Sequence, residues 1–545
     1  MAQSVGSLML RGDLTLLMLV LFHLIGCGSV KELTSEPQGP WTRAELSDAK
    51  QTSSLADVNR FIAELKSQGA PITVSTLGTS AGGLEIPLVV LADPPCLDGT
   101  QARASGRAVV YLQANIHGGE VEGKEAAQML LREACQGDRP LWLENLVIVC
   151  VPIYNVDGNE ALGPGLRQRG HQDGPDPIGR RTNDDRLDLN RDCLKADSPE
   201  MRAVLAKIWK VWDPHLVLDL HTTNGTRHGY SLTYSPPLGA DVDAEIQHWS
   251  KEVLLPAVRD KLREKHDILT FDYGNSSSRG GARSWSSFSS LPRYVTNHAG
   301  ERNRFGILSE ATSFLPFAHR IKATSLFTAT VIDFVADHVE EVLRICQSAD
   351  RRSELLHATG ATLGLEFETR SRGIQALLLE KRIEGRNTPA HKGPQEVESI
   401  PHDVRADFDA TVTTPIPAGW LIPAEEKDLI ELIGRHQLHH HVLTEEILLP
   451  VESLWLTTST VAKRSYQNRH NRTVKGELVE ENHLARTGDV LVPSAQPQAR
   501  IAFWLLDPQS PDGATTWSIL DDPHWPGTAH PIRRILQIYP STTDE

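Results

Sequence analysis

Cysteine is scarce in this chain: 545 residues carry only six, at Cys27, Cys96, Cys135, Cys150, Cys193 and Cys346. Their wide, irregular spacing contains no CxxC pair, which excludes a thiolate zinc site. The odd number left after Cys27 excludes a disulfide framework and predicts buried thiols. Basic runs are also absent, and the formal net charge is -15, so nothing here would neutralise a phosphate backbone and nucleic acid is not a partner. There is no internal repeat. No apolar run reaches the roughly 20 residues that span a bilayer as a helix. What remains is globular composition, 40% hydrophobic and 23% charged, with length for a large core and two domains.

The longest apolar run, Leu14 to Ile25, follows Arg11 and suits the apolar part of an export signal. It ends Leu24-Ile25-Gly26-Cys27, which resembles the bacterial lipoprotein cleavage box with Cys27 as the lipidated first residue. A plain cleaved signal and an uncleaved anchor are the other two readings. All three predict an exported protein, secreted, periplasmic or attached to a membrane through Cys27. Residues 1–27 are therefore set aside as signal and 28–45 as a polar tether.

From there, hydrophobic periodicity sets out an α/β chain. Leu55 to Leu65 has helical spacing, and Ile72 to Leu77 and Leu84 to Leu91 read as a hairpin around Ser80-Ala81-Gly82-Gly83. Apolar strands follow at Ala108 to Ala114, Leu146 to Val151, Leu216 to Leu220 and Gly306 to Leu308. Helices are predicted at Glu120 to Leu131, Met201 to Trp212 and, as one long element, Phe317 to Arg344. This alternation predicts a mixed, largely parallel sheet with helices on both faces over residues 46–350. Tyr273 to Arg304 shows no period and reads as a long loop. Residues 351–418, punctuated by Pro389, Pro394, Pro401, Pro415 and Pro417, read as a boundary region. Residues 419–545 read as a smaller α/β or mixed domain without an assigned role.

Four short motifs stand out: Ile116-His117-Gly118-Gly119-Glu120, Asp219-Leu220-His221 and Leu308-Ser309-Glu310 at the ends of these strands, where an open α/β sheet places its ligand crevice, and Asp188-Leu189-Asn190-Arg191 between them. Catalytic zinc is commonly held by two His and one carboxylate with a position left open. His117, Glu120 and His221 supply that set, for one zinc per chain. By contrast, His439, His440 and His441 are adjacent in a strand-like segment, and alternating side chains there point to opposite faces, so they do not share a metal.

The order of these motifs, with the turn Asn155-Val156-Asp157-Gly158, resembles the zinc metallocarboxypeptidases related to carboxypeptidase A over about residues 45 to 345. The resemblance implies a zinc carboxypeptidase fold and removal of a C-terminal residue from peptides. It implies zinc ligation by His117, Glu120 and His221, and a supporting carboxylate, Asp188, behind a ligand imidazole. Asn190 and Arg191 match the pair that grips the substrate's terminal carboxylate. Arg180 matches the oxyanion arginine, with Arg181 the other candidate, and Glu310 matches the general base. The Val156 position usually holds Pro in the family, and Asp192 and Cys193 replace an aromatic often found there. Tyr294 is the candidate for the substrate-capping tyrosine, although it lies closer to Glu310 than the family spacing. Arg293, Asn297, His298, Arg302, Asn303 and Arg304 are further candidates for the pocket wall. A zinc-dependent N-acyl amino acid deacylase of the aspartoacylase and succinylglutamate desuccinylase type shares the same metal scheme and is the rival reading. A non-catalytic exported binding protein of the same fold is the third.

Overall fold

The apolar runs become the strands of one eight-stranded sheet. The computed structural model describes residues 39–223, 225–381, 396–520 and 526–538. The signal, Cys27, most of the tether, Pro389 and Pro394 lie outside these residues. The strands are β1 (Ile72–Thr79), β2 (Glu85–Leu91), β3 (Ala108–Ala114), β4 (Leu146–Val151), β5 (Leu216–Thr223), β6 (Leu232–Ser235), β7 (Thr270–Asp272), β8 (Asn275–Arg279), β9 (Ala282–Ser286) and β10 (Phe305–Thr312). The large sheet runs β1-β2-β4-β3-β5-β10-β6-β7. Its centre, β4-β3-β5-β10, is parallel, and β1, β2 and β6 enter antiparallel. Every residue of β3, β4 and β5 is buried. Because strand side chains alternate between faces, complete burial means that both faces are covered, which the continuous apolar runs require.

Two long segments depart from the sequence reading. The helix expected over Phe317 to Arg344 is two, Phe317–Asp337 and Val339–Glu354. His338 breaks it with φ −122 and ψ 29, its Nδ1 turned back to within 2.8 Å of the Phe334 carbonyl. The loop expected over Tyr273 to Arg304 holds β8, β9 and the helix Val295–Glu301. β8 and β9 form a hairpin around Gly280 and Gly281, both at positive φ, in a four-stranded sheet with Ile374–Glu380 and Val397–Arg405. These strands are short and polar, so no period reveals them. Pairing of β9 with the distant Val397–Arg405 fixes the hairpin in a sheet.

Residues 351–418 carry four strands: Thr362–Arg370, Ile374–Glu380, Val397–Arg405 and Asp407–Pro415. Beyond them a six-stranded sheet is built from Gly419–Ile422, His441–Val442, Ile447–Val461, Arg472–Ala485, Val490–Pro493 and Arg533–Ile535. One hydrophobic cluster runs from Val58 through the large sheet to Leu363, Trp420, Phe503 and Trp504. The five described cysteines are free thiols. Among the described residues no helix is long and apolar enough to cross a membrane.

Candidate metal centre and active site

The site forms where β3, β5 and β10 lie side by side. β3 ends at Ala114, and Asn115 then adopts φ 61, turning the chain sharply at the strand end. From there its side-chain amide donates to the carbonyls of His117, Gly118 and Glu120, at 3.2, 3.3 and 2.9 Å. One buried amide thus folds the His117-to-Glu120 turn around itself. Asn155 locks that turn to the next segment, donating to the carbonyls of Ile116 and Arg181, both at 3.0 Å. Gly118, Gly158 and Gly179 meet backbone to backbone: a Cβ on Gly118 would stand 2.2 Å from the Gly158 carbonyl carbon, and one on Gly179 2.3 Å from the Gly158 oxygen. Only glycine allows that approach.

His221 comes from β5, in register with Glu310 on β10. The Nδ1 atoms of His117 and His221 lie 3.0 and 2.9 Å from Glu120 Oε1 and Oε2, and both imidazoles are buried. Each Nε2 faces a carboxylate, Asp188 Oδ1 at 3.0 Å for His117 and Asp219 Oδ2 at 2.7 Å for His221. Such partners fix tautomer and ring orientation behind a metal ligand. The donor atoms of His117, Glu120 and His221 lie within 4.8 Å of one another, as one small cation requires. His117 Nδ1 is buried without a hydrogen bond. A buried imidazole nitrogen left unspent and aimed at a carboxylate and a second imidazole fits a metal site.

The charges around the centre follow from burial and partners. Burial would raise the Glu120 carboxyl, but His117 and the Arg169 guanidinium hold it well below the ordinary carboxylate range. Arg169 Nη1 donates to Glu120 Oε1 at 2.7 Å and Nη2 to the Thr222 carbonyl at 2.6 Å. Asp188, likewise opposed by burial, is held far below its usual value by His117, Arg181 and Arg191. Glu310 goes the other way: burial, reinforced by Glu120, pushes it up to about 8 against the pull of His221 and the arginines.

The neighbouring arginines divide. Arg180, matched on sequence to the oxyanion role, turns its guanidinium onto Asp184 and the carbonyls of Thr182 and Asn183. Arg181 faces the site, 2.8 Å from Asp188 and 3.6 Å from Glu120, and stays partly exposed. Asn190 Oδ1 accepts from the Val295 amide at 3.0 Å and its Nδ2 lies 3.3 Å from His221 Nε2. Arg191 lies over the Tyr294 ring at 4.3 Å. Tyr273, which the sequence reading missed, has its phenol raised by burial and by the nearby Glu310 and Glu120 carboxylates. A cavity of about 250 Å³ opens beside the centre, lined among others by His117, Gly119, Gln168, Arg169, Arg181 and Ser313.

The string from Arg293 to Arg304 serves the scaffold instead. Arg293 pairs with Asp512, Asn297 donates to the carbonyls of Ser289 and Leu291, and Arg302 donates to the His436 carbonyl. His298 packs against Trp209 and His436, and Arg304 bridges Asp213 and Asp350. Asn303 binds Asp350 and the Pro497 carbonyl. Glu301 is buried beside Asp241 and Arg500. Arg169, Asn115 and Tyr273 were not legible in the sequence: Arg169 is placed by contacts to Glu120 and Thr222, remote in the chain, and the role of Asn115 depends on its positive φ, which no sequence pattern shows.

A mixed α/β sheet with two imidazoles and a carboxylate at its strand ends defines a metallohydrolase class. Residues 58–325 match the sequence model of the zinc carboxypeptidase family, and this segment of the chain belongs to that family. Carboxypeptidase 2 of Trichophyton tonsurans is 22% identical over 472 residues, covering 79% of this chain and 77% of its own. Probable carboxypeptidase 2 of Arthroderma benhamiae is 23% identical over 449 residues, covering 75% of each. Among solved structures, the metallo-carboxypeptidase from Pseudomonas aeruginosa in complex with (2-guanidinoethylmercapto)succinic acid is 18% identical, covers 53% of this chain and 70% of its own, and aligns with a TM-score of 0.39.

Proposed function

We propose that this chain is an exported zinc carboxypeptidase that removes the C-terminal residue of peptides, with His117, Glu120 and His221 as ligands of one zinc. The reading rests above all on the buried, unspent Nδ1 of His117 facing Glu120 and His221, with Glu310 in register beside His221 on the next strand. When bound, zinc supplies a Lewis acid that polarises a carbonyl and lowers the pKa of water. Glu310 accepts the proton of the attacking water and passes it to the leaving amine. A carboxyl pushed up to about 8 by its surroundings is a stronger base than an ordinary one, and a cation beside it favours the ionised form that accepts the proton. Arg181, rather than Arg180, balances charge on the carbonyl oxygen, since its guanidinium faces the centre. Asn190 and Arg191 hold the terminal carboxylate, with Tyr294 stacked on Arg191 to fix the fork. Export rests on Arg11, the Leu14 to Ile25 run and the sequence ending at Cys27.

The test is metal analysis of the purified protein, joined to a mass-spectrometric screen of peptides as free acids and as C-terminal amides. The expected result is one zinc per chain, loss of single residues from free acids, and loss of turnover with chelator. Equal turnover of acids and amides, or activity that survives complete metal removal, overturns the reading.

A further inference from the structure

The segment that carries Asp188, Asn190 and Arg191 has little secondary structure of its own, only a single short turn, Leu189–Arg191. It is held from outside by a turn whose contacts reach it across 272 to 283 residues of sequence. Tyr466 and Arg469 exchange backbone hydrogen bonds, Tyr466 N–H to the Arg469 carbonyl at 2.7 Å and Arg469 N–H to the Tyr466 carbonyl at 3.1 Å. Between them Gln467 and Asn468 both sit at positive φ, 52 and 61. Two successive left-handed residues are the geometry for which Asn-Gly is the usual sequence, and Gln at the first position is strained. Strain of this kind persists where the surroundings over-determine it and clusters at functional sites.

What over-determines it is the catalytic segment. Gln467 Oε1 accepts the backbone N–H of Asp188 at 2.8 Å. Asn468 Nδ2 donates to the Asp185 carbonyl at 3.0 Å, and Arg469 makes a two-pronged ion pair with Asp197, both contacts at 2.7 Å. Three consecutive side chains of the turn therefore bind residues 185, 188 and 197, spanning the stretch that contains the Asp188 carboxylate and the Asn190-Arg191 pair. Tyr466 stacks on Trp517, 5.9 Å between ring centroids, which seats the turn itself.

We propose that Gln467 is a positioning residue of the hydrolytic site: it is the side chain through which the C-terminal sheet fixes the backbone of Asp188, and so the orientation of His117 and of the Asn190-Arg191 pair. The inference rests on the carboxypeptidase reading above and gives the C-terminal part of the chain a role in that site. With its backbone amide anchored, Asp188 places Oδ1 on His117 and Oδ2 on Arg181; released, the short turn is free to rotate both contacts away.

Gln467→Gly in the full chain separates positioning from folding. Glycine accepts φ 52 without strain, so the turn and the melting temperature are kept or improved while the acceptor is lost. Gln467→Glu keeps an acceptor oxygen as the rescue variant. Three readouts are expected to move together in Gln467→Gly: faster hydrogen exchange at the Asp188 amide, zinc affinity lower by about fivefold in chelator competition, and a similar fall in kcat. Gln467→Glu is expected to retain the amide protection. Unchanged zinc affinity and Asp188 exchange in Gln467→Gly overturn the proposal, as does a loss that only tracks a fallen melting temperature in both variants. Exchange and zinc affinity need no turnover, so a wild type that holds zinc but cleaves no peptide overturns the carboxypeptidase reading and leaves this test standing.

Discussion

At the scale of single residues, the site depends on which side of each side chain is already engaged. Glu310 is not one of the three clustered donors and lies in register with His221, so Glu310→Gln is expected to keep zinc and substrate affinity while kcat falls at least ~10²-fold. Single-turnover kinetics with parallel metal analysis checks this, and loss of zinc would make Glu310 a ligand. The two arginines give a sharper contrast. Arg181→Ala is expected to lower kcat by ~10²- to 10³-fold, the usual cost of a lost oxyanion donor. Arg180→Ala, whose guanidinium is committed to Asp184 and to the carbonyls of Thr182 and Asn183, is expected to leave kcat within a few-fold of wild type. Reversal of that order would return the oxyanion role to Arg180.

At the scale of elements, the ligand turn after β3 owes its shape to two asparagine amides rather than to a helix cap. Helix Glu122–Cys135, which follows it, starts without a side-chain cap hydrogen bond. Asn115→Gly keeps access to positive φ but removes the amide that binds three carbonyls, which are left buried. The expected cost is about 1–3 kcal/mol of stability in urea unfolding, with weaker zinc binding. A variant as stable as wild type would show that the glycine-lined turn holds itself. Asn155 performs the corresponding task between this turn and Arg181, which gives the Asn-Val-Asp-Gly motif a physical reason: its first residue joins the His117-to-Glu120 turn to the arginine segment.

At the scale of the whole molecule, the parts are coupled through buried groups. Glu301 is pushed up to about 8 by burial and by Asp241, beside Arg500 of the C-terminal part. Its folded value lies above the unfolded one, so the folded protein keeps a proton that the unfolded chain releases. Its contribution is fully present below the unfolded carboxyl value near 4.5 and is lost as pH rises towards 8. Glu301→Gln is therefore expected to flatten the fall in melting temperature between pH 5 and 8, measured calorimetrically; an unchanged profile would assign that fall to other groups. The shared core leads to a second expectation. A chain ended at residue 350 uncovers the residues packed against Leu363, Trp420, Phe503 and Trp504, and should lose near-ultraviolet circular dichroism and resist protease poorly. Native-like protection in that piece would show that the first part folds alone.

The sequence by itself determined the central sheet, because β3, β4 and β5 are buried on both faces and such strands must be apolar throughout. It also singled out His117, Glu120 and His221, whose donor atoms the fold brings within 4.8 Å of one another, because a metal site needs particular donor types and strand ends place them. Tertiary structure decided what spacing does not encode. Arg181 rather than Arg180 faces Glu120, since the turn of the backbone selects between neighbours. β9 is held as a strand by pairing with Val397–Arg405, well over 100 residues away, and β8 by its hairpin with β9; their polar sequence carries no period. Gln467 reaches Asp188 only when the C-terminal sheet is in place. In each case the deciding energy comes from a contact between segments distant in the chain, and a linear pattern holds no record of it.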